Sequence, residues 1–213
     1  MTEDADDADD AGRIVVYSDY VCPFCYLGRA SLRRYLAASD ADVEVDWHPF
    51  DLRARKRGPD GEIDFSVDDG KDEAYYEQAR ENVRRLSDRY DVEMAREIAT
   101  DVDSLPAQVA SLYVKEAHPE QWPAFDEAVF EALWIDGRDV GDPDVLVDLA
   151  ESVGLDGEEV REALDDESLR ERVTEQFEAA SRRGVTAVPT FVYDGHVARG
   201  AVPPEQLARL IEG

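Results

Sequence analysis

The chain has only two cysteines, two methionines and three histidines among 213 residues, and lysine occurs only as Lys56, Lys71 and Lys115. So little sulfur excludes a scaffold stapled by several disulfides. A zinc site of the usual kind wants four ligands, and beyond the single cysteine pair only the scattered His48, His118 and His196 are available. No run approaches the roughly 20 consecutive apolar residues of a membrane span. Positive charge is the scarcest feature: 23 basic residues face 51 acidic ones, a net charge of −28. That field repels phosphate, so the short basic run Arg53, Arg55, Lys56 and Arg57 is not expected to bind nucleic acid. Gly58, Pro59, Gly61 and several aspartates follow it, and residues 53–70 read as a solvated surface loop. The start, Met1 to Asp10, is acidic, with neither a basic opening nor an apolar run. Residues 1–12 therefore read as a disordered tail rather than a secretory signal, and the expected location is cytoplasmic.

What the chain does have is both cysteines in one motif, Cys22-Pro23-Phe24-Cys25. Ile14 to Ser18 reads as a short buried strand before it, and Leu27, Ala30, Leu32, Tyr35 and Leu36 recur at helical spacing after it. A sulfur at the start of a helix meets unpaired backbone N–H groups and the positive end of the helix dipole. Thiols in such places lose their proton more readily, which populates the thiolate that attacks disulfides. Cys22 is the expected nucleophile. Cys25, one turn on, can reach the Cys22 sulfur and resolve a mixed disulfide. Pro23 suits the first helical position because it has no N–H to leave unpaired. Three other readings of the pair stay open: a zinc site, a structural disulfide closing a very small loop, and two buried thiols acting as small apolar residues. No metal and no cofactor are expected.

A second signal lies at Gly184 to Gly195, where Val188-Pro189-Thr190-Phe191 enters a strand, Asp194-Gly195 makes a hairpin turn, and His196-Val197-Ala198 returns. A proline at a strand start is either punctuation or a cis bond.

With its strand, its Cys-Pro-Phe-Cys opening a helix and its distant Val-Pro-Thr-Phe, the chain resembles the thioredoxin fold. It is similar to the DsbA family, and within it to the FrnE-like dithiol–disulfide oxidoreductases. The matching pieces are Asp19 to Gly28, Val43 to Phe50, Gly137 to Pro143, Gly184 to Phe191 and Gly200 to Glu205. The resemblance implies Cys22 as attacking and Cys25 as resolving cysteine, with Pro23 and Phe24 tuning the redox balance. It also implies that Pro189 is the cis-proline whose loop faces the dithiol, with Val188 presenting backbone groups to a substrate chain. His48 stands where many similar proteins carry arginine, and it is expected to be a packed strand residue. The extra cysteine pair of some FrnE-like proteins has no counterpart, so any activity is expected to run through one dithiol.

The expected architecture is a thioredoxin-like α/β fold with a large all-helical insertion between its halves. Residues 13–66 form the first half, 67–183 the insertion and 184–213 the second half. Tyr75, Tyr76, Ala79, Val83, Leu86, Tyr90 and Met94 predict one helix from about Lys71 to Ala99. Further helices are expected over Leu105–Ala117, Trp122–Asp136, Asp144–Ser152 and Ser168–Arg183. Trp122, Phe125, Phe130 and Trp134 are expected to be core residues, with some of them lining a groove above Cys22.

The functional expectation is thiol–disulfide exchange, including isomerisation, on protein or small-thiol substrates, with neither nucleic acid nor membrane as partner. Two alternatives are a thiol-cofactor-dependent isomerase resembling 2-hydroxychromene-2-carboxylate isomerase, and a redox-gated binding module. The acidic excess is expected to reflect a high-salt interior, where self-repulsion is screened.

Overall fold

Alternation along a strand decides where the core sits. In the computed structural model, which describes residues 12–41, 43–58 and 61–213, Arg13–Ser18 forms strand β1. Its side chains go alternately to opposite faces, so Ile14 and Val16 join one apolar cluster while Val15 and Tyr17 join another. The acidic tail expected over residues 1–12 lies, up to Ala11, outside the described residues. β1 pairs in parallel with β2 (Glu44–Pro49) and antiparallel with β3 (Thr190–Tyr193). Val16 stands opposite Trp47 on one side and Phe191 on the other. β3 turns back into β4 (His196–Arg199), giving the sheet order β2-β1-β3-β4. The turn residues Asp194 and Gly195 both have positive φ, 45° and 72°, the two-residue hairpin that Asp-Gly favours.

The Ile14 face is closed by two helices. Leu32 and Tyr35 of α1 (Pro23–Ala38) and Leu207 of α8 (Pro204–Glu212) pack there with Phe191 and Ala198. The Ser31 hydroxyl of α1 donates to the Val202 carbonyl at 2.6 Å, tying the two ends of the chain together. The Val15 face carries the larger core, built from α3 (Leu105–Ala117), α4 (Trp122–Trp134), α5 (Pro143–Ser152), α6 (Gly157–Asp165) and α7 (Glu167–Arg182). Here Phe125, Phe130 and Trp134 are fully buried, and each such side chain contributes about 1.5–3 kcal/mol by burial. α2 (Glu73–Tyr90) packs on α1 instead, setting Val83 and Tyr90 against Leu27. Part of the acidic excess does structural work at helix starts. Asp72, Asp142, Asp156 and Asp166 each accept a first-turn N–H of α2, α5, α6 and α7.

The sequence expectation departs from the structure in three places. The helix expected to run to Ala99 ends at Tyr90, where Asp91 takes a left-handed conformation, φ 47°, and the Val92 N–H bonds back to the Ser87 carbonyl at 3.0 Å. Residues beyond it still bury apolar groups, Ala99 and Val102 among them, so the spacing of Tyr90 and Met94 imitated a helix that does not continue. α6 was not anticipated, because nine residues with four acidic ones give a weak periodic signal. The stretch after Phe50 is no simple solvated loop, because Arg53 is buried and Arg57 nearly so.

Candidate active site

Cys22 occupies the N-cap of α1, with extended backbone angles (φ −95°, ψ 112°) and Pro23 directly after it. Its N–H donates to the Asp19 carbonyl at 3.1 Å, and its own carbonyl accepts from the Cys25 and Tyr26 N–H groups at 3.0 and 3.4 Å. The backbone is thus committed, while the sulfur makes no cap bond and donates to the Val188 carbonyl at 3.5 Å. Both cysteines are free thiols and almost wholly buried. Burial, then the hydrogen bond with Cys22 and the Cys22 charge, push the Cys25 thiol well above the ordinary thiol range. The Asp19 backbone and the Ser18 side chain act against this. The pair is therefore asymmetric: one sulfur opens onto the Val188 loop, and the other is held as a thiol beneath it.

The Val188–Pro189 peptide bond is cis. Pro189 approaches α1 at Gly28, where an added Cβ would lie 3.0 Å from the Pro189 Cγ and 3.2 Å from the Phe191 Cζ. Only a residue without a side chain lets the helix and this loop meet so closely. The Thr190 hydroxyl donates to the Ala187 carbonyl at 2.7 Å, and the Gly200 N–H donates to the Pro189 carbonyl at 2.8 Å. These bonds hold Val188 over Cys22. Of the residues expected at the site, Cys22, Cys25, Val188 and Pro189 come together, while Pro23 and Phe24 line the adjoining groove.

Sequence reasoning missed Asp19. Its carboxylate is buried and accepts from the Ser104 hydroxyl at 2.5 Å, the Leu52 N–H at 2.7 Å and the Val21 N–H at 3.2 Å. Burial, and after it the charge of Asp51, raise its pKa to about 6, against the three hydrogen bonds that favour the carboxylate. Asp19 clamps the loop before Cys22 to the start of α3 and to the segment after β2. The available signal was an acidic residue directly behind an apolar strand. On the opposite side of α1, Arg29 is paired with Asp126 and donates to Glu127 at 2.8 Å. The Tyr20 hydroxyl donates to Asp126 at 2.9 Å, and the Trp134 indole donates to the Tyr20 carbonyl at 2.9 Å. These bonds fix the angle of α1 against the insertion.

A groove of about 450 Å³ opens at Cys22. One side is formed by Val21 to Phe24 and Thr186 to Val188, the other by Phe50 to Lys56, Lys71, Tyr75, Tyr76 and Ile98 to Thr100. The aromatic residues expected above Cys22 are not the ones found there. Trp122, Phe125, Phe130 and Trp134 belong to or pack against the core, and Tyr75 and Tyr76 of α2 line the groove instead. Arg53 is buried because its guanidinium donates to the Val102 carbonyl at 2.9 Å and to the Ala99 carbonyl. Arg57 bridges Asp51 at 2.8 Å and Asp103 at 3.0 Å. This far side of the groove is built from contacts distant in sequence.

His48 stacks on Tyr17 with ring centroids 4.5 Å apart, its Nδ1 lies 3.1 Å from the Pro49 carbonyl, and burial lowers its pKa. It is a packed strand residue outside the groove. Among the described residues no cluster of histidine, cysteine and carboxylate is arranged to hold a metal ion, and no helix is long and apolar enough to cross a membrane.

Comparison with known proteins gives four results that bear on this geometry. The family described as DSBA-like thioredoxin domain matches residues 13–212. The uncharacterized protein YwbO of Bacillus subtilis (strain 168) is 31% identical over 207 residues, covering 93% of this chain and 94% of its own. The crystal structure of a probable DsbA oxidoreductase from Streptomyces coelicolor superposes with a TM-score of 0.76 at 27% identity, over 92% of this chain and 87% of that one. A 2-hydroxychromene-2-carboxylate isomerase structure superposes with a TM-score of 0.71 at 22% identity, over 93% and 92% of the two chains. That last likeness is one of fold.

Proposed function

Since the chain belongs to the DSBA-like thioredoxin domain family, we propose that it is a thiol–disulfide oxidoreductase in which Cys22 attacks and Cys25 resolves. The observation that carries this reading is the asymmetry of the two sulfurs. Cys22 caps α1 and faces the groove, while the Cys25 thiol is held protonated one turn behind it.

The Cys22 thiolate attacks one sulfur of a substrate disulfide along its S–S axis, and the other sulfur leaves as a thiolate. The first-turn N–H groups and the dipole of α1 stabilise the anion without a specific hydrogen bond to it. Cys25 then gives up its proton and attacks the Cys22 sulfur, releasing the second substrate thiol and closing the Cys22–Cys25 disulfide. The Ser18 side chain and the Asp19 backbone stabilise the negative charge that develops on Cys25. Val188 offers backbone groups to an extended substrate beside the reacting sulfur, in the manner of strand addition. Pro23 and Phe24, between the two cysteines, tune the balance of dithiol and disulfide. Run in reverse, the same steps oxidise a substrate dithiol; attack of a second substrate thiolate on the substrate sulfur of the mixed disulfide, with the Cys22 thiolate leaving, gives isomerisation.

Within the family, the FrnE-like grouping, a cytoplasmic location and function at high salt belong to the same proposal. The first is supported by the matching motif pieces from Asp19 to Glu205, the third by the net charge of −28. If charge repulsion is what salt relieves, the midpoint of thermal unfolding rises strongly between about 0.1 M and several molar KCl. An unchanged midpoint removes the high-salt reading.

Insulin reduction by dithiothreitol tests the activity itself. The protein at a few hundredths of the insulin concentration accelerates precipitation, and Cys22→Ser returns the rate to the uncatalysed background. A redox-gated binder acts only in proportion to its own amount. A thiol-cofactor isomerase leaves insulin unchanged.

A further inference from the structure

The groove at Cys22 is charged in the sense opposite to the rest of the chain. Arg53, Arg55, Lys56 and Lys71 line it, including two of the three lysines, whereas the chain as a whole carries −28. Asp51 and Asp69 are the only carboxylates among the described residues that line it, and both are already paired, Asp51 with Arg57 at 2.8 Å and Asp69 with Lys71 at 3.0 Å. The remaining cations have no comparable partner. Arg53 is buried against the neutral carbonyls of Ala99 and Val102, with its guanidinium carbon 5.7 Å from the Phe65 ring centroid. Lys56 donates to the Phe65 carbonyl at 3.4 Å and is within electrostatic range of Asp64 and Asp69. Arg55 is exposed and forms no ion pair among the described residues.

A buried guanidinium without a carboxylate, beside two accessible cations and a reactive sulfur, is an arrangement that wants an anion. The sulfur lies at the base of a groove of about 450 Å³, within the range of small-molecule sites, and the cations gather at that groove rather than along an extended edge. We propose that the groove binds a low-molecular-weight thiol bearing carboxylates, presented as its disulfide, with Arg55 and Lys56 on the carboxylates and the fixed charge of Arg53 behind them. This rests on the reading of Cys22 as the attacking sulfur. In the oxidising direction for the enzyme, the Cys22 thiolate cleaves the S–S bond and expels one thiolate, and Cys25 displaces the second from Cys22. The enzyme dithiol loses two electrons, the small disulfide gains them, and the two cysteine protons end on the two released thiols.

The test compares three disulfides in one buffer: anionic glutathione disulfide, neutral bis(2-hydroxyethyl) disulfide and cationic cystamine. Each kcat/KM is divided by the rate of the same disulfide with free dithiothreitol, which removes intrinsic reactivity. The net charge of the protein alone would steer the cation in first. The proposal predicts the reverse, glutathione disulfide over cystamine by on the order of tenfold, the effect of one or two partly exposed ion pairs. The double variant Arg55→Glu/Lys56→Glu inverts that ratio, and Arg55→Gln alone reduces it. Arg209→Glu, exposed on α8 outside the groove, changes the net charge without touching the site and leaves the ratio in place. Cystamine equal to or ahead of glutathione disulfide in the wild-type protein overturns the anion site. A preference for the anion that survives Arg55→Glu/Lys56→Glu overturns it as well. No turnover of the neutral disulfide overturns the assignment of Cys22 instead, which separates the two failures.

Discussion

One wall of the groove at Cys22 is made by two short segments with their own local patterns, Val21 to Phe24 and Thr186 to Val188, the other by side-chain contacts between residues far apart in the chain. Val21 to Phe24 place the sulfur through a strand end, a helix cap and a proline, all within a few residues. The opposing wall exists because Arg53 reaches the carbonyls of Ala99 and Val102 and because Arg57, bonded to Asp51, also reaches Asp103, 46 positions along the chain from itself. The wall that carries Cys22 is neutral, with both sulfurs buried; the opposing wall is cationic, with Arg53 buried and Arg55 exposed. On the proposed reading, the chemistry rests on a cysteine motif and one distant proline loop, whereas the discrimination of substrates rests on a wall held by tertiary side-chain contacts.

The largest effect that separates the walls is on stability. Arg57→Leu leaves Asp51 buried beside Asp19 without its cation, and breaking a buried pair costs about 3–5 kcal/mol. Urea unfolding measures it, and a loss below about 1 kcal/mol would show that the far wall does not depend on this pair. Next comes the carboxylate that joins the walls. The folded pKa of Asp19, about 6, lies above the ordinary 3.8, so its protonated form is favoured by folding. The stability it contributes is complete below about pH 4 and is lost as the pH rises through about 6. Asp19→Asn cannot titrate, so unfolding free energies compared from pH 4 to pH 7 should shift toward the variant by up to about 3 kcal/mol, beyond any constant cost of the substitution. A difference independent of pH would mean that folding does not raise the Asp19 pKa.

The smallest effect concerns the reactive wall alone. Gly28→Ala gains about 1 kcal/mol of helix propensity, but its methyl group meets Pro189 at 3.0 Å, and overpacking costs about 1–3 kcal/mol. A net loss of about 1 kcal/mol, together with slower alkylation of Cys22 relative to an unfolded control, is expected if this contact sets the Val188 loop. A net gain in stability would show that the loop yields freely.

The same contrast explains what was legible in the sequence. The cysteine motif, the Val-Pro-Thr-Phe entry, the Asp-Gly hairpin and the aromatic stripe of α4 are local patterns, and each stands where its periodicity or turn chemistry predicts. Arg53 and Arg57 read as solvated because their neighbours are glycine, proline and aspartate, and nothing nearby announces the carbonyls of Ala99 and Val102. Asp19 was hidden for the same reason, since two of its three donors, Leu52 and Ser104, come from other elements. Tyr75 and Tyr76 continue a helical stripe, and only the placement of α2 against α1 turns them toward the groove.

The central claim is the division of labour between two sulfurs one turn apart, and trapping tests it most directly. Cys25→Ser incubated with a disulfide substrate should accumulate a mixed disulfide that peptide mapping places on Cys22, while Cys22→Ser accumulates none. A stable adduct on Cys25 in the Cys22→Ser protein, or full turnover by Cys25→Ser with no trapped species, would contradict the account.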